Sequence, residues 1–264
     1  MRRINFWGLL LILIGTLLLL SQFLPFDIGQ LIWPLILISI GVWILWGALA
    51  QPEPSASESL TIPLEGAAQA RIRLRHGAGE FRLDAGSDPE TLISGSFAGG
   101  VDSQTERQGE TVKARLGVPS HPFLWMPWSG WRHGGFRWDV KVNPEVELAL
   151  DLKGGASESQ LDLSELNVTE LRLETGASST KLVTPAKAEF TKATVKSGAA
   201  SVIVHIPEGV RASIHTSGGL SEIDVDQSRF PRVRSGHYRS PDYEDGAHKI
   251  DLSAETGVGS IKIR

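Results

Sequence analysis

Apolar and polar residues alternate around a glycine in six similar segments between residue 72 and the C-terminus. With the glycine as position zero, the residues at −5 and +6 are apolar in every copy, and the residue at +2 is small. Alternation on both sides of a small corner predicts two short strands joined by a tight bend, because glycine tolerates contacts that larger residues do not. The predicted corners are Gly77, Gly155, Gly176, Gly198, Gly219 and Gly257.

The spacing of these glycines indicates a repeat. From Gly155 to Gly219 they follow one another at 21, 22 and 21 residues. A fixed period of about 20 residues is typical of stacked units that bury their apolar faces against their neighbours. Residues 60–264 are therefore predicted to form an all-β body, a β-solenoid-like stack of short strands with glycine corners. The alternative is an antiparallel sandwich with similar hairpins, since period-two alternation does not separate the two.

Two stretches of the body interrupt the repeat. Residues 86–116 are less regular, and we interpret them as one or more degenerate repeats. The last glycine spacing, from Gly219 to Gly257, is 38 residues, which is one repeat plus an insert of about 17 residues. The insert lies within residues 229–246 and carries four arginines between positions 229 and 239. It is interpreted either as a solvated loop or as a surface for anionic lipid or a phosphorylated partner.

The N-terminal region is predicted to be a membrane anchor. Residues 4–24 and 31–50 are almost unbroken apolar runs, each long enough to cross a bilayer as a helix. The short turn between them predicts an antiparallel helical hairpin over residues 1–50, followed by a flexible linker at 51–59. Arg2 and Arg3 are the only basic residues before Arg71. The positive-inside tendency then places both termini, and the body, on the cytoplasmic side of the plasma membrane.

Tryptophan is confined to two regions of the chain. Four tryptophans lie in the apolar runs, and the other four lie between Trp125 and Trp138. Prolines and glycines predict that residues 121–138 form a loop. Its aromatic rings either cap the stack or contact the bilayer interface or a protein partner. The residues predicted for such a membrane or partner contact are Trp125, Trp128, Trp131, Trp138, Arg132 and Arg137.

Composition and motifs argue against catalysis and against several ligand classes. The chain has no cysteine and a net charge of −4, so thiolate chemistry is excluded and nucleic acid is not expected as a partner. The outward columns of the repeat do not assemble a pair of carboxylates, as a polysaccharide-cleaving solenoid would require. The seven histidines lack metal-ligand spacing, and no phosphate-binding or nucleophile motif occurs. No catalytic residue, metal or cofactor is therefore predicted.

Two parts of the sequence resemble a known bacterial family. The segments Phe6 to Gly15 and Trp33 to Gly41 are similar to the LiaI/LiaF-type transmembrane region of envelope-stress proteins. The G-A-S and G-V-G corners and the ending from Gly257 to Ile263 resemble the toastrack domain of LiaF-like and LiaG-like proteins. The resemblance implies a non-enzymatic protein of the cell-envelope stress response, whose LiaF branch is associated with restraint of a sensor histidine kinase.

Two functions are therefore expected, and they belong to different classes. The first is a membrane-anchored regulatory or scaffolding protein that contacts a sensor histidine kinase or another envelope membrane protein. The second is a module that binds membrane lipid or cell-wall glycan through the tryptophan loop.

Overall fold

A computed structural model describes residues 57–86, 88–119 and 136–264, together with Leu37 and Gly41, which are helical. The chain divides into two compact units, Met1–Gln51 and Pro52–Arg264. Apart from Leu37 and Gly41, the predicted helical hairpin lies outside the described residues. Within them, no helix has the length and apolar character that crossing a bilayer requires.

The described body is built from strands that join into one 14-stranded sheet. The strands are β1 (Ser57–Pro63), β2 (Gln69–Ala85), β3 (Thr91–Ala98), β4 (Asp102–Gln108), β5 (Thr111–Gly117), β6 (Phe136–Val142), β7 (Glu147–Asp162), β8 (Val168–Thr175), β9 (Ser179–Val183), β10 (Phe190–His205), β11 (Val210–Val225), β12 (Arg232–Arg234), β13 (His237–Arg239) and β14 (His248–Ile263).

Six parallel rungs form the centre of this sheet. Five are the long strands β2, β7, β10, β14 and β11, and β8 with β9 makes the sixth, between β7 and β10. Each rung contains one predicted corner glycine, which divides it into a first limb and a second limb. The prediction of an all-β body of stacked strands is therefore confirmed.

Each corner reverses the alternation of buried and exposed side chains. In β10, Ala193, Val195 and Ser197 are buried before the corner, and Ala200, Val202 and Val204 are buried after it. Gly198 and Ala199 between them are both exposed. Side chains point to alternate faces along a regular strand. Two consecutive outward residues interrupt this alternation at the corner, so the buried side chains of both limbs face the same interior. One apolar core therefore lies between the limbs, and every −5 and +6 position contributes to it.

Neighbouring corners touch through their backbones. A Cβ atom on Gly155 would lie 2.5 Å from the carbonyl oxygen of Gly77, and one on Gly176 would lie 2.9 Å from that of Gly155. The same contact recurs at Gly198, Gly257 and Gly219, at 3.2, 3.0 and 3.1 Å from the preceding glycine in the stack. None of the six has a positive φ. At Gly155 and Gly176 a Cβ atom would force the neighbouring rung to shift, and at Gly198, Gly257 and Gly219 the contact is tight. A left-handed backbone plays no part at these corners.

The spatial order of the rungs differs from their order in the chain. The C-terminal strand β14 pairs with β10 on one side and with β11 on the other. The last repeat is thus inserted between the two that precede it, and β11 ends the row of rungs. The insert at 229–246 forms the hairpin β12–β13, which adds to the far side of β11.

Two predictions about the start of the body need correction. Within residues 86–116, β3 pairs antiparallel with β1 and β6, and β4 pairs antiparallel with β5, so β3 and β4 are not degenerate repeats. Only β5 follows the repeat, because it pairs parallel with the first limb of β2, as β6 does with the second limb. The body also begins at Ser57 and not at residue 60, since β1 uses the last three residues assigned to the linker. Polar composition suggested a linker there, but β1 is an edge strand with mostly exposed side chains.

The glycine contacts predict a graded loss of stability on substitution by alanine. We expect Gly155→Ala to destabilise most, then Gly176→Ala, then Gly198→Ala, because the clash distance grows in that order. Overpacking of this kind costs about 1–3 kcal/mol. Gly117→Ala is the matched control, since nothing lies within 4 Å of its added Cβ. Thermal melting of the four variants checks this series, and equal losses at all four positions would contradict it.

Candidate functional site

The strands on either side of residues 120–135 lie beside the first rung. Strand β5, which precedes the loop, pairs with the first limb of β2, and β6, which follows it, pairs with the second limb. Trp125, Trp128, Trp131 and Arg132 lie outside the described residues, so their predicted contact stays a prediction. Trp138 and Arg137, at the base of the loop, are described.

Trp138 is a core residue, and the prediction that it contacts a membrane or partner is wrong. Its side chain is 0% exposed. The indole ring meets Phe97 edge-on at 5.1 Å between centroids and His76 at 5.2 Å. Trp138 pairs in register with Phe81, which occupies the inward +4 position of the first rung. The alternation of β6 therefore turns this ring inward, where it packs at the start of the stack.

Arg137, one residue earlier, faces outward. Its side chain is 71% exposed, and its Nε donates to Glu80 Oε2 at 2.9 Å. Its Nη2 donates to the other carboxylate oxygen at 3.2 Å. This bidentate pair fixes the guanidinium on the surface beside the base of the loop. Arg137 therefore lies on the surface, and its predicted contact stays a prediction.

Gly79 allows β6 to approach the first corner. Its φ is +123°, and a Cβ atom there would lie 2.1 Å from the carbonyl oxygen of Phe136. Only glycine satisfies both conditions. Phe136 consequently reaches over His76, with ring centroids 6.4 Å apart.

His76 is a buried histidine among aromatic rings. It stacks on Phe81 at 5.6 Å, and it is 4% exposed. Neither ring nitrogen has a hydrogen-bond partner of full geometry among the described residues. Burial lowers the pKa of His76, and the backbone of Phe136 offsets this only in part. The core therefore favours the neutral imidazole.

The arginines of the insert have two different roles. Arg229 donates to the carbonyl oxygens of Ile206 and Pro207 at 2.8 and 3.1 Å, and Arg239 pairs with Glu244 at 3.4 Å. Arg229 holds the insert against the body, whereas the pair of Arg239 with Glu244 lies within the insert. Arg232 and Arg234 are exposed, and neither forms an ion pair within the described residues. The predicted surface for an anionic partner is therefore reduced to two arginines on β12.

A pair of stacked histidines joins the insert to β11. The rings of His215 and His237 lie 4.2 Å apart with an interplanar angle of 12°. His215 Nδ1 is 3.5 Å from Asp251 Oδ1, and His237 Nε2 is 3.3 Å from Ser213 Oγ. Burial, His215 and the arginines at 234 and 239 lower the pKa of His237. No spacing rule would have paired these histidines, because an irregular insert brings them together.

The outer faces of the first limbs carry ion pairs between neighbouring rungs. Arg73 pairs with Asp151 at 2.9 Å, and Lys196 pairs with Glu255 at 2.7 Å. Hydrogen bonds from Lys153 and from Arg172 lower the pKa of Glu174. In the part of the chain that the structure describes, no three histidine or carboxylate side chains gather as a metal site would need.

Comparison with known proteins identifies both parts of the chain. The family model described as the N-terminal domain of toast_rack, DUF2154, matches residues 51–205, which is more than half of the chain. The LiaI-LiaF-like transmembrane region matches residues 5–45 and indicates membrane anchoring. The resemblance inferred from the sequence is thus confirmed. A search of curated proteins gives no match.

Solved structures support the fold of the body. A crystal structure of a candidate cell adhesion protein from Clostridium sporogenes ATCC 15579 superposes with a TM-score of 0.71 at 19% identity. The match covers 79% of this chain and 98% of that one. A candidate adhesin from Bacteroides fragilis NCTC 9343 matches at 8% identity over 81% of this chain and 100% of that one, with a TM-score of only 0.30. At these identities the first likeness concerns the fold alone.

The neighbours Arg137 and Trp138 provide a test of which residue belongs to the core. We expect Trp138→Ala to cost about 3–5 kcal/mol, because a large fully buried ring is removed. Arg137→Ala should leave the melting temperature almost unchanged, since its ion pair with Glu80 is exposed. Thermal unfolding measures both, and a stable Trp138→Ala variant would contradict the packing described above.

Because two histidines have lowered pKa values in the folded chain, we predict that the body loses stability in mild acid. The pKa values of His76 and His237 are lowered from 6.5 in the folded chain. The unfolded chain then binds more protons, so their contribution is complete above about pH 6.5 and declines as the pH falls below it. We expect the melting temperature to drop between pH 7.5 and 5.5, and His76→Phe or His237→Asn to weaken that dependence. An unchanged slope in both variants would contradict this assignment.

Proposed function

Since the chain belongs to the family described as the N-terminal domain of toast_rack, we propose that it is a membrane-anchored, non-enzymatic regulatory or scaffolding protein of the bacterial envelope. The observation that carries this proposal is the junction of a LiaI-LiaF-like transmembrane region, residues 5–45, to a toast_rack body from residue 51 onward. Such an arrangement holds a folded body close to a membrane, where it can meet other membrane proteins.

The structure of the body is better suited to binding other proteins than to catalysing a reaction. Its rungs are paired along their length, and its core is continuous between the two limbs. A surface on such a framework changes little on binding, so little free energy is lost in ordering it. Many charged side chains on the outer face are engaged with each other, as in the pairs of Arg73 with Asp151 and Lys196 with Glu255. These paired groups stabilise the stack and leave few charges there to activate a substrate.

The partner that we propose is a sensor histidine kinase or another envelope membrane protein. Support comes from the LiaI-LiaF-like region, since the LiaF branch is associated with restraint of such a kinase during envelope stress. In this proposal the spans and the body act together, the first placing the protein beside its partner in the bilayer and the second presenting the contact surface.

Co-purification from membranes tests this function. The full chain, tagged after Arg264, is extracted in mild detergent and its companions are identified. We expect a kinase or another membrane protein in stoichiometric amount, lost when residues 57–264 are removed from the anchor. Purification of the full chain without a stoichiometric companion, in cells exposed to envelope stress as well as in resting cells, would overturn the proposal.

The second candidate is binding of membrane lipid or cell-wall glycan by the tryptophan loop. It is favoured by the exposed Arg137 at the base of that loop and by the three tryptophans at positions 125, 128 and 131, since indole rings prefer the headgroup level. We expect the full chain purified alone to bind glycan, or vesicles of anionic lipid added in excess, in this case. Changing these three tryptophans to alanine should abolish binding, and Arg137→Ala should weaken it.

The proposed topology has two spans and a cytoplasmic body. It is supported by Arg2 and Arg3 and by the two apolar runs of the sequence. We expect a fusion of alkaline phosphatase after Arg264 to be inactive and a fusion of green fluorescent protein to be fluorescent. An active phosphatase at that position would place the body outside the cytoplasm and contradict the topology.

A further inference from the structure

One end of the sheet carries two edges that lack a neighbour. The first is the part of β11 from residue 217 to residue 225, whose outer side pairs with no other strand in the described ranges, because β13 covers only Ser213 to His215. The second is the outer side of β12, which pairs only with β13. We call these two edges together the end face.

The edge strands β4 and β1, elsewhere in the sheet, are protected against pairing with a further strand, but the β11 edge is not. All seven residues of β4 are exposed, and residues 104–108 form the polar run Gln-Thr-Glu-Arg-Gln. Strand β1 ends in Pro63, which cannot donate to a ladder. Polar residues and proline are the usual means of keeping an edge unpaired. The β11 edge has no proline and carries Leu220, which is 84% exposed.

Exposed apolar side chains concentrate at the same end. Within the described body, the three most exposed large apolar residues are Leu220 at 84%, Val233 at 61% and Val258 at 54%. Leu220 lies on the β11 edge and Val233 on the β12 edge. Val258 is the register partner of Leu220 on β14. Monomeric proteins seldom cluster exposed apolar residues on unpaired edges, so this end has the character of an interface.

The two edges of the end face carry opposite charges. Glu222 lies two residues after Leu220, is exposed and has no ion pair among the described residues. Arg232 and Arg234 flank Val233, and they are likewise exposed without ion pairs in the described body. Each edge therefore presents an apolar residue beside an unpaired charge, acidic on β11 and basic on β12.

We propose that the end face binds the end face of a second copy of this chain across a two-fold axis. In this dimer, residues 220–222 of one copy lie against residues 232–234 of its partner, and the same contact occurs a second time by symmetry. Leu220 packs on Val233, while Glu222 meets the arginine on its own face of β12, since Arg232 and Arg234 pair with consecutive residues of β13 and point to opposite faces. Pairing β11 with β11 would instead bring the acidic residues Glu222 and Asp224 of one copy near those of the other, and like charges on facing strands are unfavourable. This inference does not rest on the proposed function.

Cysteine cross-linking tests the contact directly, because the natural chain has no cysteine. Full-length Leu220→Cys and Val233→Cys, carrying different tags, are co-expressed and oxidised mildly in native membranes. We expect a disulfide-linked heterodimer, since facing residues of paired strands lie within disulfide range. Leu220→Cys with Glu106→Cys on β4 is the matched control and should not link. Linkage that is no greater than in this control would overturn the proposal.

Charge reversal separates this dimer from one held by the membrane spans. We expect Glu222→Arg, and separately the double change Arg232→Glu with Arg234→Glu, to abolish the dimer seen by mass measurement in lipid nanodiscs. All three changes together should restore it. A dimer that survives both charge reversals would be held by contacts outside the end face. A chain that is monomeric before any substitution would not form the proposed dimer. Either result, or occupation of the end face by a different protein in cross-linked membranes, would overturn the proposal.

Discussion

The close approach of neighbouring corner glycines is the contact on which the rest of this structure depends. The carbonyl oxygen of one glycine occupies the space that a Cβ atom on the next would need, 2.5 Å away at Gly155. Side chains are therefore excluded from the corners, and the rungs stack in register. The same corner reverses the alternation of each strand, so that both limbs bury one side. A sheet that would otherwise be flat becomes two walls around a single core.

The corners also determine which surfaces remain for function. Within the row of rungs, backbone groups are paired and the outer charges neutralise each other, so new contacts are available mainly at the ends. At one end β5 and β6 pair with the first rung on either side of residues 120–135, and Trp138 of β6 lies in the core. At the other end β11 presents an edge that the β12–β13 hairpin covers only in part.

Much of this fold could be predicted from the sequence because the repeat is local. The offsets of −5 and +6 are separated by eleven residues, an odd number, so the reversal at the corner was already present in the pattern. The order of the rungs could not be predicted from the sequence. The spacing of β14 along the chain is the same whether it lies beside β10 or beyond β11. For a related reason the pattern does not separate β5, which pairs parallel with β2, from β3 and β4, which pair antiparallel, since alternation does not distinguish the two kinds of pairing.

The candidate site was less predictable than the fold. Trp138 was grouped with the loop tryptophans by composition, although its place in the alternation of β6, as the register partner of Phe81, turns it inward. The contact of His215 with His237 depends on how the irregular insert folds back, which no periodicity encodes. The side chain one residue after the corner is exposed in other rungs as well, as at Ala199 and Val258, and Leu220 lies on an unpaired edge only because β11 is the terminal rung.

The insertion of β14 between β10 and β11 can be measured with pairs of cysteines on the outer face. Ser253 is the register partner of Thr194 on one side and of His215 on the other. We expect an intrachain disulfide between cysteines at 194 and 253, and between those at 215 and 253, because adjacent strands lie within reach of that bond. Cysteines at 194 and 215 should not link, since a whole strand separates them. A disulfide between 194 and 215 would place β11 directly beside β10 and contradict the order of the rungs described here.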